Sequence, residues 1–81
     1  MKAMEIDSSK WTDEMRQNAV RKLEELGYHE EESDNEIGRK SISVFQSGYF
    51  TLFDDCGILL LGHELTPTYE QLMAMTKEDV A

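Results

Sequence analysis

Met15, Ala19, Leu23 and Leu26 recur at intervals of four, four and three residues, and every residue between them except Val20 is polar or charged. A strand cannot place such a series on one side, whereas a helix of 3.6 residues per turn lines it up as a single apolar stripe. The spacing predicts a helix from about Thr12 to Leu26. Both ends are marked. Thr12 can accept backbone N–H bonds as N-cap, and Asp13 and Glu14 then put negative charge where the helix dipole favours it. Gly27 suits the left-handed residue after the last turn, with Tyr28 placed to fold back on Leu23 as in a Schellman motif.

The residues that follow change character. From His29 to Gly38 the chain is Glu, Ser, Asp and Asn with Ile37 as its one aliphatic side chain, which is too little apolar area to offset ordering entropy. This segment reads as a solvated acidic loop. Three strand-like runs come next: Ser41–Phe45 alternates small polar and β-branched residues, Tyr49–Phe53 is rich in aromatics, and Gly57–Leu61 is apolar throughout. Ser47-Gly48 fits a tight hairpin turn, and Asp54-Asp55-Cys56-Gly57 fits a type I turn closed by glycine. In the first run Ile42 and Val44 point one way, and Ser41 and Ser43 the other, so one side of that strand is expected to be wet.

A second helix is expected to begin at Thr66, with Pro67 in its first turn, or at Thr68, with Gln71 completing a capping box. Tyr69, Leu72, Met73 and Thr76 share a face of it, and Lys77–Ala81 reads as a fraying end. The fold class is therefore α+β. The expected order is α-β-β-β-α in one domain over residues 1–81, an antiparallel three-stranded meander with both helices on one face. Met4–Asp7 offers a short fourth strand.

Composition narrows the function. A chain of 81 residues buries about 60–65% of its unfolded surface, which leaves marginal stability and little room for a deep cleft. The hydrophobic share of 40%, with three Phe, three Tyr and one Trp, is enough for a core. Single Cys56 excludes an internal disulfide and suits a reducing compartment, so the expected location is cytoplasmic. Neither the first residues nor the run Ile58–Leu61 has the apolar length of a signal peptide or a membrane span. Seventeen acidic residues against eight basic ones give a formal charge of −9, which disfavours direct contact with nucleic acid or anionic lipid.

Few residues suggest chemistry. Cys56 and His63 are the one pair that could act as nucleophile and base, with Asp55 nearby, yet no spacing requires them to meet. The Asp54–Gly57 turn lacks the alternating ligands of a calcium loop, and two histidines with one cysteine fall short of a usual zinc set. The glycines form no phosphate-cradling motif. No catalytic residue, metal or cofactor is expected.

The charge is segregated. Glu24, Glu25, Glu30, Glu31, Glu32, Asp34 and Glu36 follow one another without an intervening base, which makes one edge strongly negative. Most such runs only solvate, but rows of carboxylates can also fill the electropositive groove of a nucleic-acid-handling protein. In size and charge alone the chain resembles small acidic phage and mobile-element proteins that inhibit host nucleases or defence complexes. The expectation is a non-enzymatic inhibitor or adaptor, a nucleic-acid mimic that presents these carboxylates to a basic protein. A structural protein that forms a homodimer through its apolar surplus is the alternative, with Tyr49, Phe50 and Phe53 as contacts. A small enzyme or metal protein built on Cys56 and His63 is the third.

Overall fold

In the computed structural model, which describes residues 1–31, 40–53 and 65–81, the first helix, α1, spans Asp13–Glu25. Thr12 caps it, its Oγ1 accepting from the Met15 N–H at 3.2 Å. The C-terminus closes as a Schellman motif: the Gly27 N–H donates to the Glu24 carbonyl and the Tyr28 N–H to the Leu23 carbonyl, each at 3.0 Å. Gly27 has φ 106°, a left-handed conformation that a side chain would strain.

Among the described residues, four strands form one sheet. β1 (Met4–Asp7), β2 (His29–Glu30), β3 (Ser41–Val44) and β4 (Tyr49–Phe53) lie in the order β1-β3-β4-β2. β3 pairs antiparallel with β1 and with β4, while β2 runs parallel to β4. The α+β class holds, but the sheet is mixed rather than a meander. Met4–Asp7 is a full strand, and the expected strand Gly57–Leu61 lies outside the described residues. The β3–β4 hairpin turns at Gly48, whose φ is 99°.

Register explains the core. Met4, Val44 and Phe50 form one transverse row and Ile6, Ile42 and Leu52 the next, all fully buried. Ala19, Leu23 and Leu26 of α1 join the same cluster with Tyr28, Leu72 and Val80. The second helix, α2, spans Tyr69–Met73 and starts at Thr68, where the capping box with Gln71 is made on both sides. Removing a cap of this kind typically costs about 1 kcal/mol. α2 meets α1 through a 3.2 Å bond from Asn18 Nδ2 to the Tyr69 hydroxyl, and meets the residues just before α1 through an edge-to-face contact of Trp11 with Tyr69, ring centroids 5.2 Å apart.

Three expectations are corrected. Ser41 and Ser43 are buried, not wet, and the Ser43 hydroxyl donates to Glu5 Oε2 at 2.9 Å. Small hydroxyls enter a covered face once a partner satisfies them. His29–Glu30 opens the acidic segment as strand, because the His29 and Glu31 N–H groups donate to the Gly48 and Phe50 carbonyls at 2.8 and 2.9 Å. Backbone bonds fix these polar residues without apolar content of their own. Lys77–Val80 does not fray. It is a 3-10 turn with Val80 1% exposed and its carbonyl accepting from the Lys2 N–H at 3.0 Å.

Candidate functional site

The Schellman turn at the end of α1 decides where the acidic residues go. Glu24 and Glu25 occupy the last turn of the helix on its exposed side. Gly27 then reverses the chain, Tyr28 drops into the core, and His29, Glu30 and Glu31 emerge exposed along the edge of the sheet. Glu24, Glu25, Glu30 and Glu31 thus flank one turn whose two sides are tied by backbone bonds. Lys22 Nζ lies 3.9 Å from Glu25 Oε1, a long surface pair worth little in energy. Glu32, Asp34 and Glu36 lie outside the described residues.

The dimer candidates part ways. Phe50 is fully buried in the core and offers no surface to a partner. Tyr49 is 42% exposed, its ring centroid 6.4 Å from that of His29. Phe53 closes β4 opposite Ser41. Among the described residues, Met1 and Tyr49 are the large hydrophobic side chains left exposed. Of the apolar residues behind that expectation, Tyr28, Phe50 and Leu52 are core, Trp11 is partly buried against it, and Ile58–Leu61 lie outside the described residues.

Cys56, His63 and Asp55 lie outside the described residues. Among the described residues, no three His, Cys, Asp or Glu side chains converge to hold a metal ion. No helix among them is long and apolar enough to cross a membrane.

The connection from β1 to α1 and the segment that leads into α2 line an open cleft of about 640 Å³. Trp11, Pro67 and Tyr69 contribute its apolar wall, and Glu5, Asp7 and Glu70 stand in its lining with Lys10. Asp7 Oδ1 accepts from the Ser9 hydroxyl at 2.7 Å and from the Ser9 N–H at 3.0 Å, bonds that hold its carboxyl below the ordinary aspartate range. Trp11 and Tyr69 come from segments far apart in the chain, and only the packing of α1 on α2 joins them. The visible signal was an indole placed just before a helix cap, which equally suits a core residue.

No protein-family model matches the chain, and neither the curated proteins nor the solved structures contain a significant match.

Proposed function

We propose that this domain is a non-enzymatic binding module that presents the carboxylates of Glu24, Glu25, Glu30 and Glu31 to a basic protein, most sharply a nucleic-acid-handling one. The observation that carries this reading is their common exposure around one backbone-bonded turn in a chain of formal charge −9. A carboxylate row held by a turn loses less side-chain and backbone freedom on binding than one on a free coil, so more of its Coulomb attraction survives as affinity. The same sign of charge repels nucleic acid itself, which leaves a competitor's role: occupying lysine and arginine side chains that would otherwise hold phosphates. We place the protein in the cytoplasm, in keeping with its single cysteine.

The test is affinity capture from nuclease-treated lysate of the source cell, with the wild type beside a variant carrying Glu24→Gln, Glu25→Gln, Glu30→Gln and Glu31→Gln. Recovery of a basic protein by the wild type alone, and displacement of nucleic acid from it by the wild type, is the expected result. Equal recovery by both chains would refute the reading.

A further inference from the structure

We propose that the cleft beside α2 is a second recognition site, which receives an arginine side chain from a basic protein segment. It is separate from the acidic turn. The cleft lies at the N-terminal end of α1 and beside β1, whereas the turn follows the C-terminal end of α1 and leads into β2 at the opposite edge of the sheet.

Charge and shape together select the ligand. Among the described residues that line the cleft, Glu5, Asp7 and Glu70 are acidic and Lys10 is basic, so their balance is negative. An anion is repelled. A neutral apolar group would cover the carboxylates without pairing them, at a cost in desolvation. A cation with a flat, weakly hydrated body meets both demands: guanidinium pairs with carboxylates through directed N–H donors and also stacks on aromatic rings. An ammonium matches the charge but keeps its water and has no plane to lay against Trp11 or Tyr69.

The N-termini of both helices lie near this cleft, and their dipoles favour anions. Glu14 in the first turn of α1 and Glu70 in that of α2 oppose them, while Asp13 is paired with Arg16 at 3.1 Å. The walls are also set in advance. Tyr69 is held by Trp11 and by Asn18, Glu5 by Ser43 and Asp7 by Ser9, so little ordering remains for the ligand to impose. A cleft of about 640 Å³ has room for the side chain and the backbone that carries it.

Trp11 is the chain's one tryptophan, so its fluorescence reports on this cleft. The full chain is titrated at low ionic strength with a blocked Gly-Arg-Gly-Arg-Gly peptide and with its citrulline counterpart, which keeps the shape and lacks the charge. The expected result is a saturable change in Trp11 emission with the arginine peptide, and binding at least about tenfold weaker with citrulline. Glu70→Gln and Asp7→Asn should each weaken the arginine peptide about two- to fivefold, the range of exposed charge pairs. Glu70 is exposed, so its variant keeps the test valid even where Asp7→Asn disturbs the Ser9 turn. The variant lacking the four carboxylates of the acidic turn should retain the emission change. The proposal is overturned if citrulline binds equally well, if neither cleft variant weakens binding, or if the acidic-turn variant alone abolishes the signal. An emission change that follows protein concentration without peptide would also overturn it, by assigning the cleft to a second copy of the chain.

Discussion

Tyr28 joins two parts of the structure: its N–H closes the end of α1, and its phenol, inside the core, donates to the Lys2 carbonyl at 2.6 Å. That bond ties the N-terminal segment to the turn carrying the acidic residues. Tyr28→Phe keeps the ring and removes the donor, leaving the carbonyl short of a partner. A loss of about 1 kcal/mol is expected, read as a lower urea midpoint with an unchanged slope. Aspartates at two further turns act through charge. Asp79 Oδ2 accepts from the Thr76 N–H at 2.7 Å and from its hydroxyl at 3.1 Å, bonds that hold its carboxyl below the ordinary aspartate range, as Ser9 does for Asp7. A depressed carboxyl stabilises the fold fully above its unfolded pKa, about 3.9, and that contribution disappears as pH falls through the lower folded value. Thermal midpoints measured below about pH 4 should therefore fall less with acid in the Asp7→Asn, Asp79→Asn double variant than in the wild type.

At the scale of elements, legibility in the sequence followed how locally each element is determined. α1 carries its own stripe, cap and stop signal, so its span was readable from Thr12 to Leu26 within a residue or so of the observed Asp13–Glu25. α2 was readable once its two candidate caps were weighed, and the Thr68–Gln71 box is the one made. The segments that read otherwise are those whose order comes from elsewhere in the chain. His29–Glu30 becomes a strand through β4, Ser43 is buried through Glu5, and Lys77–Val80 is ordered through Lys2 and the core. The last case is open to a direct test. A fraying end would tolerate Val80→Ala, but a side chain 1% exposed should lose about 2 kcal/mol from its missing methyl groups and the space they leave. Glu78→Ala, at an exposed neighbour, should stay within about 0.5 kcal/mol of wild type in the same chemical denaturation series.

Taken as a whole, the molecule sets its charge against its stability. The acidic run was visible in composition, but the placing of Glu24, Glu25, Glu30 and Glu31 around one turn depends on Gly27, Tyr28 and the parallel pairing of β2, and the aromatic cleft depends on helix packing that no local pattern encodes. Carrying −9 on so small a body makes the folded state repel itself, and carboxylates near one another on the same turn contribute to that repulsion without a matching set of bases. If those residues served folding, their neutralisation would weaken the fold; if they serve binding, it should leave the fold unchanged or firmer. The variant with Glu24, Glu25, Glu30 and Glu31 changed to Gln should accordingly match or exceed the wild-type thermal midpoint at low salt. Added salt should then raise the wild-type midpoint more than the variant's, because it screens repulsion that the variant has already lost. The same salt should release a captured basic partner from the wild type, so one variable would move stability and binding in opposite directions. A variant that melts earlier than wild type at low salt would instead assign these carboxylates to the fold.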